Sequence, residues 1–592
     1  MIEEKITLVK IKDLLDNYFI KLPAFQRAYT WGKKEIIQFL KDIEKYSSKE
    51  RYFIGNIFCY SDNHRDLSII DGQQRITTLY LMLNAIRIID DKKFKSLDIN
   101  FFDGNTPKFD TVEASPFCHY LFDDNTIDDI YNSLVDEQTN DFTKLNLFYC
   151  QKYIYDYLNK NSFIINNING IVNNLDMVLI FCENVSFGYQ IFENINSKGQ
   201  PLNNADLIKT AFFNRIKDRR GENEFNSFKY NTWKEIEKNF YVNVSLSDSF
   251  EDIGKKNTKA LANFHQIFVY YNQLMFGKKH SKNSRKLYSN YVLKLDDMSQ
   301  NELKNELDKI LTLSKSYNYI LNPFDNAIPT IESVQCNIQF LHFLGIKLYI
   351  PFAVALINKL DEGKYRSNKN EIKKIFCKLS IFHFVFNTMF KMKPSLVEPK
   401  YNSLAHRIYA EDINFREIKK GINEITCDVI ENQIGTDLDY CYELYLKGLN
   451  KILFTIDRAT TSVQKAKPYK KFRGSTQISY LLGMFEQYLK NDYSNIPTID
   501  SVEHISCLKD EGKNNINNFL IFNFLPLERE INNLCEDKIL EDKIDLYRRS
   551  NYKLTRKFCE LYDNNNGDEQ LISDEWKKEI VKILVSILKQ DI

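Results

Sequence analysis

Proline and glycine are sparse, 12 and 19 in 592 residues, which excludes collagen-like and low-complexity architectures and leaves a globular composition that leans to helix. A long uninterrupted apolar run is missing too. The most hydrophobic stretch, Phe340 to Ile357, is broken by His342, Lys347 and Pro351. These groups are costly in hydrocarbon, so a pair of buried core helices is expected there and not a membrane span. The 11 cysteines include no Cys-x-x-Cys pair and form an odd total. That argues against a disulfide framework and a thiolate zinc site, and for reduced thiols packed in the core.

Neither sign of charge is in excess. Lys+Arg 80 against Asp+Glu 79 leaves a net charge of +1, so the chain as a whole offers a polyanion no attraction, and nucleic-acid binding has to use a local basic surface. The opening "MIEEKITLVKIKDLLDNYF" lacks the apolar core and small-residue cleavage site of a signal peptide, which gives the expectation of a cytoplasmic protein. No G-x-x-x-x-G-K-[ST] occurs, excluding an ordinary P-loop, and no G-x-S-x-G elbow supports a serine nucleophile. No internal repeat is visible, and Asn-rich patches such as "NNINN" and "DNNNG" read as loops.

What is present is ample core material, 43% hydrophobic and 14% aromatic residues. At about 100 to 200 residues per domain the chain is multidomain. Between Arg51 and Leu83, "YFIGNIFCY" and "LSII" are short β-favouring segments, after which Ile76, Leu79, Leu83 and Ile86 recur at helical spacing. Asp71 stands where an N-cap belongs. The exposed amides of the new helix would then open beside Gln73, Gln74 and Arg75, an anion-binding geometry. A second segment repeats the plan, with "MVLIFCENV" as a buried strand, "GYQIFENI" as a short helix and "NSKGQPL" as a turn. The helix "NADLIKTAFFNRI" follows, its start pairing Asn203 with Asp206 as a capping box beside Lys209.

From Lys217 to Thr455 helical periodicities dominate. Arg458 to Phe485 holds six basic residues and no acid, interleaved with Tyr469 and Phe472, which reads either as a DNA-backbone contact or as a solvated link between domains. The last stretch gives a helix "ISYLLGMFEQYLK", a strand "TIDSVEHI", an Asn-rich loop, an apolar strand ending near Asn523, and a long charged helix with Asn532 in its start. The histidines on apolar stretches, as in "FLHFLG" and "IFHFVF", are expected in the core.

Four blocks, "LPAFQRAYTW" at Leu22 to Trp31, "FIGNI" at Phe53 to Ile57, "IIDGQQRITTLYLML" from Ile69 and "FENINSKGQPLNNADLIKT" at Phe192 to Thr210, resemble in the same order the ParB/sulfiredoxin-like N-terminal domain of GmrSD-type restriction endonucleases. The residue chemistry agrees. Arg27 and Arg75 offer forked hydrogen bonds to phosphate oxygens, Gly72 lets the main chain approach closely, and Asp71 can cap the helix or hold Mg²⁺. The resemblance implies that a nucleoside triphosphate is bound by Arg27, Asp71, Gly72, Gln73, Gln74 and Arg75, with hydrolysis left open. Asn196, Lys198, Asp206 and Lys209 of the second turn would close the pocket. A solitary DGxxR would be no more than a tight turn with a solvated arginine; the coherence of four blocks favours the nucleotide.

Glu503-His504 is the only acid–His dipeptide in the chain. Its setting, with Asn523 and Asn532 downstream, resembles a ββα-metal nuclease of the His-Asn-His class, and more closely the C-terminal nuclease domain that accompanies the N-terminal family, over Ser475 to Phe558. The resemblance implies Mg²⁺ or Mn²⁺ held by Glu503 and Asn532, and His504 taking the proton of the attacking water. It further implies Asn523 holding the loop that orients His504, and Lys543 on a DNA phosphate. Where the family pattern often has Pro after the His-Ile pair and Gly before the middle Asn, this chain has Ser506-Cys507 and Phe522.

The expected fold is therefore α+β and predominantly helical: a ParB/sulfiredoxin-like nucleotide-binding domain at 1–216, an α-helical connecting region at 217–474, and a helical domain with a ββα-metal HNH nuclease at 475–592. The expected function is a nucleotide-regulated, metal-dependent DNA endonuclease of restriction type in bacterial anti-phage defence, with phage DNA, modified or not, as substrate. The alternative is a nucleotide-switched DNA-binding protein with a silent nuclease centre, and a third reading is an RNA-cleaving toxin. No membrane partner is expected, and homo-oligomerisation is left open.

Overall fold

The computed structural model describes residues 6–23, 29–46, 51–61, 65–104, 106–111, 115–123, 125–137, 141–182, 204–217, 219, 227–240, 248–277, 293–323, 332–435, 437–455, 470–473, 475–493, 499–506, 519–536 and 538–590. The fold is α+β and predominantly helical. The chain divides into two compact units, Met1–Val269 with Lys282–Ser314, and Tyr270–Ser281 with Lys315–Ile592.

The first unit is built on a mixed sheet. Its elements run β1 (Ile6–Lys10), α1 (Ile11–Asn17), β2 (Phe19–Leu22), α2 (Lys33–Tyr46), β3 (Tyr52–Tyr60), β4 (Asp66–Asp71), α3 (Gln73–Ile89) and α4 (Asp91–Lys95), followed by β5 (Phe102–Asp103), β6 (Thr106–Pro107), β7 (Phe109–Thr111), α5 (Ser115–Phe122), α6 (Ile127–Asp136), α7 (Phe142–Lys160), α8 (Phe163–Asn174) and β8 (Leu175–Phe181). Six strands pair in the order β1-β8-β3-β4-β2-β7. The β1/β8 and β3/β4 pairs are antiparallel, and the β8/β3, β4/β2 and β2/β7 pairs are parallel. Strand alternation puts Val9, Ile57, Cys59, Met177 and Leu179 into the core. Helix α3 is central to that core. Every residue from Gln73 to Arg87 except Arg75 is buried, so the helix lacks a solvent-facing polar stripe, and its polar members Gln73, Gln74, Thr77, Thr78, Asn84 and Arg87 are enclosed with the rest.

The expected N-cap at Asp71 does not form. Asp71 is held as the last residue of β4, opposite Phe58 of β3, and Gly72 is the cap, at φ +96°. A Cβ at Gly72 would lie 2.3 Å from Ile57 Cδ1 and 3.3 Å from the Asn56 carbonyl, so the chain turns here against β3 only as glycine. Strand β8 realises the expected "MVLIFCENV" strand as far as Phe181. The segments "GYQIFENI" and "NSKGQPL", and Asn203 of the expected capping box, lie outside the described residues.

The second unit is mostly helical. Glu332–Phe343 and Ile350–Asp361 are the two helices expected from the apolar stretch, although His342 is exposed while His383 is fully buried. Among the described residues no helix is long and apolar enough to cross a membrane, and the described cysteines are free. Strands β9 (Ile452–Thr455) and β10 (Lys470–Arg473) pair in parallel, so the last three basic residues of the stretch, Lys470, Lys471 and Arg473, lie in a strand. Strands β11 (Ser501–His504) and β12 (Phe524–Leu527) pair antiparallel, with His504 opposite Phe524 and Glu503 opposite Leu525.

Two expectations are corrected. The apolar strand does not end near Asn523 but starts after it, because Ile521–Asn523 is a 3₁₀ turn closed by the Asn523 N–H on the Leu520 carbonyl at 3.0 Å. The long charged helix is instead a series, Arg529–Cys535, Leu540–Tyr547, Lys553–Asn564 and Glu569–Lys589, interrupted where Glu536, Asn566 and Gly567 take positive φ.

Candidate functional site

In the first unit the turn between β4 and α3 draws separate sequence blocks together. Arg75 leaves the first turn of α3 toward β3, where Nη1 donates to the Ile54 carbonyl at 3.2 Å and Nη2 to the Asn56 carbonyl at 2.9 Å. Asp71 stands 3.9 Å from Nη2. Burial draws the guanidinium pKa down and Asp71 pulls it back up, so the group stays cationic. Gly55 makes this seat possible: it sits at φ +132°, and a Cβ there would lie 1.7 Å from Arg75 Nη1.

Gln74 ties in the block that contains Arg27. Its Oε1 accepts from the main-chain amides of Thr30 at 2.8 Å and Trp31 at 3.1 Å. Around it, Tyr29 OH lies 2.7 Å from Thr78 Oγ1, and Asn146 Nδ2 donates to the Tyr29 carbonyl at 2.8 Å. The chain leaving Arg27 is thus pinned to α3 and α7 within four residues. Gln73 is buried as well, and its Oε1 finds no partner among the described residues, an orphaned acceptor beside a helix start whose first amides have no partner within the helix. A nucleotide fits this donor set in kind, with arginine and helix amides for phosphates and a carboxamide for a sugar or base group.

Arg27, Asn196 and Lys198 lie outside the described residues. Asp206 falls in the helix Asn204–Arg215, and its side chain lies outside them as well. Lys209 of the same helix is buried, its Nζ 3.2 Å from Glu237 Oε1, an oxygen that also accepts from Trp233 Nε1 at 2.8 Å. Sequence reasoning missed Gly55, Thr78 and Asn146 as supports. Only Gly55 left a local signal, as the glycine interrupting a β-favouring run.

In the second unit the β11/β12 pair carries the other constellation. Glu503 is buried, and Lys543 Nζ stands 2.7 Å from its Oε1. Tyr547 OH donates to the same oxygen at 3.3 Å, and Lys543 Nζ also donates to the His504 carbonyl at 2.8 Å. Burial pushes the Glu503 carboxyl pKa up, while Lys543, Tyr547 and the His504 main-chain amide pull it down. Strand alternation turns the His504 ring to the opposite face, where it packs on Phe524 with centroids 4.8 Å apart.

Asn523 closes the end of the hairpin beyond His504. Its Oδ1 accepts from the Ser506 amide at 2.7 Å, and its carbonyl accepts from the Ile505 amide at 2.9 Å. Asn532, from the helix Arg529–Cys535, donates through Nδ2 to Ser501 Oγ at 2.9 Å and to the Val502 carbonyl at 3.4 Å. Ser501 shares its strand face with Glu503, so the acid and the amide approach β11 from the same side. The structure thus brings Glu503 and Lys543 into contact, joins His504 to them through its main chain, and sets Asn523 and Asn532 at the two ends of one strand.

The donor set suits a hard divalent cation. A carboxylate oxygen and a carboxamide oxygen are the ligands Mg²⁺ and Mn²⁺ prefer, and Asn532 commits its Nδ2 to β11, which leaves Oδ1 as the acceptor. Among the described residues no group of three or more His, Cys, Asp or Glu side chains gathers as a metal cage. Glu503 and Asn532 are the residues that would hold such an ion.

Comparison with known proteins adds one finding. Residues 11–213 match the family model described as the GmrSD restriction endonuclease, N-terminal domain, a span that contains the β4–α3 turn with its supports from β3 and α7. No curated protein matches the chain.

Proposed function

We propose, for a chain whose residues 11–213 match the N-terminal domain of GmrSD restriction endonucleases, that it is a nucleotide-regulated, metal-dependent DNA endonuclease of phage defence acting in the bacterial cytoplasm. The match to that domain points to restriction of DNA. The observation that carries the finer reading is the approach of Glu503 and Asn532 to one face of β11. The His504 ring lies on the other face at the last residue of that strand, so the scissile phosphate would sit at the strand end, between the metal side and the ring.

In this reading the β4–α3 turn binds a nucleoside triphosphate. Arg27 and Arg75 meet phosphate oxygens, the amides opened by Gly72 face the same charge, and Gln73 offers its unpaired carbonyl to a sugar or base group. A Mg²⁺ or Mn²⁺ ion bound to Glu503 and Asn532 would polarise a bridging phosphate oxygen and stabilise the charge that builds on it. His504 takes the proton from the attacking water, and Asn523 holds the segment after His504 so that the ring keeps its direction. The helical region at 217–474 carries the state of the nucleotide to the nuclease domain at 475–592. Such control requires that the nucleotide bind two conformations unequally. It has a physical motive, because an unrestrained nuclease would cut its own cell's DNA.

The test is nicking of plasmid DNA by the full chain with Mg²⁺ or Mn²⁺, with and without nucleotide, beside His504→Ala. Metal-dependent cutting that His504→Ala abolishes and a triphosphate modulates is the expected result. Plasmid bound but left intact would make the chain a nucleotide-switched binder, and cleavage confined to an RNA added in parallel would make it a ribonuclease.

A further inference from the structure

The lysine at 543 is placed where a phosphate contact is hard to make. Its side chain is 1% exposed and that of Glu503 8%, and its ammonium is directed at the strand. Nζ meets Glu503 Oε1 at 2.7 Å and the His504 carbonyl at 2.8 Å. One cationic group thus grips both members of the Glu503-His504 dipeptide, the first by its side chain and the second by its main chain. Tyr547 lies one helical turn further along Leu540–Tyr547 and donates to the same Oε1 at 3.3 Å.

Stability alone does not account for this arrangement. An apolar pair of similar volume is often as stable as a buried ion pair, or more so. What an ammonium supplies and an apolar group does not is direction. With Oε1 fixed from the helix side, rotation of the Glu503 carboxylate is restrained, and the backbone that carries the His504 ring is fixed by the same nitrogen.

Resting on the nuclease reading above, we propose that Lys543 is a positioning residue of this centre, with Tyr547 as its auxiliary. Together they clamp Glu503 through Oε1 so that its other oxygen is presented to a divalent cation, and Lys543 alone fixes His504 through its carbonyl. Lys543 acts through Glu503 and His504 and touches no substrate.

The experiment measures Mn²⁺ binding to the full chain by electron paramagnetic resonance and calorimetry, in wild type, Glu503→Gln, Lys543→Met and Tyr547→Phe, with DNA affinity measured separately without metal. Lys543→Met is expected to weaken Mn²⁺ binding by about ten- to a hundredfold, the usual loss when a residue supporting a metal ligand is removed, and to leave metal-free DNA affinity and its salt dependence unchanged. Tyr547→Phe, which removes one hydroxyl, is expected to weaken Mn²⁺ binding by a few fold; it decides the matter alone if Lys543→Met does not fold. Mn²⁺ binding in Lys543→Met equal to or tighter than wild type would overturn the proposal, the tighter case showing that the ammonium competes with the ion. A drop in DNA affinity with Mn²⁺ binding intact would overturn it in favour of a phosphate contact. If wild type shows no Mn²⁺ site sensitive to Glu503→Gln, the nuclease reading fails, and the clamp fails with it.

Discussion

Gly55 and Arg75 fit only because one of them has no side chain: a Cβ on Gly55 would lie 1.7 Å from Arg75 Nη1. The guanidinium reaches the carbonyls on either side of that glycine, Ile54 and Asn56. In this way the "FIGNI" strand and the "DGQQR" turn are one structural feature, although about 20 residues of chain separate them, a distance that local pattern does not bridge.

Substituting Gly55→Ala tests that feature. The methyl group displaces the guanidinium, and φ +132° is disfavoured for an L-residue. Strain of this kind costs about 1–3 kcal/mol, to which the loss of two hydrogen bonds to a charged donor is added. A clear fall in melting temperature is expected, together with weaker triphosphate binding if Arg75 addresses phosphate. Gly55→Ala protein that melts and binds like wild type would show that Arg75 has another seat.

Gln74 makes a separate test. Its carboxamide oxygen is the shared acceptor of the Thr30 and Trp31 amides. Gln74→Leu leaves both donors without it, at a cost of about 1–3 kcal/mol for an unsatisfied buried group. Hydrogen exchange at Thr30 and Trp31 is expected to accelerate ahead of exchange in α3. Unchanged protection at those two amides would mean that the block after Arg27 is held by Tyr29 and Asn146 alone.

How far the sequence was legible follows from which forces are local. Ile76, Leu79, Leu83 and Ile86 announced α3, the β-branched run announced β8, and the apolar stretch interrupted by Pro351 announced two helices, since each depends on periodicity or a single breaker. The turn alone points to Asp71 as the cap of α3, because the β3–β4 pairing that holds Asp71 in the strand is not written in the turn itself. Asn523 was placed at the end of a strand it precedes, because its partner Ser506 is 17 residues away. The same limit hid the partners of Lys209, Arg75 and Lys543, each of which meets a group from a distant element.

Acid sensitivity is expected in the second unit. His383 is fully buried, its Nδ1 2.6 Å from Asn387 Oδ1 and its Nε2 2.9 Å from Tyr401 OH. Burial pushes its pKa from 6.5 down to about 4, against a smaller upward pull from Asn387. A depressed histidine pKa means that the unfolded chain takes up the proton first. Stability is therefore intact above the unfolded pKa of 6.5 and falls as pH drops from there toward about 4, by about 3 kcal/mol in all at roughly 1.4 kcal/mol per unit. Denaturant unfolding of wild type and His383→Gln between neutral and acid pH measures this. The gap between them is expected to narrow as pH falls, and a constant gap would show that His383 is protonated in the fold.

Lys209 gives the sharpest separation of structure from ligand binding. Its Nζ lies 3.2 Å from Glu237 Oε1, with side chains only 3% and 12% exposed, and Trp233 Nε1 supports the same oxygen at 2.8 Å. Removing one member of a buried ion pair leaves an uncompensated charge, at a cost of about 3–5 kcal/mol. Lys209→Met is therefore expected to lower the melting temperature strongly. Glu237→Gln keeps an acceptor for Trp233 but removes the negative charge opposite the buried lysine, and it should be costly for the same reason. In the double variant neither charge remains, so its cost is expected to be well below the sum of the two, a coupling that a double-mutant cycle reads directly. Strict additivity would mean that the two groups do not depend on each other. Triphosphate affinity, measured on the folded fraction of Lys209→Met, is expected to stay at the wild-type value, because an ammonium engaged by Glu237 contributes to the scaffold under the helix and not to the phosphate. A large loss of affinity in that folded fraction would assign Lys209 to the nucleotide instead.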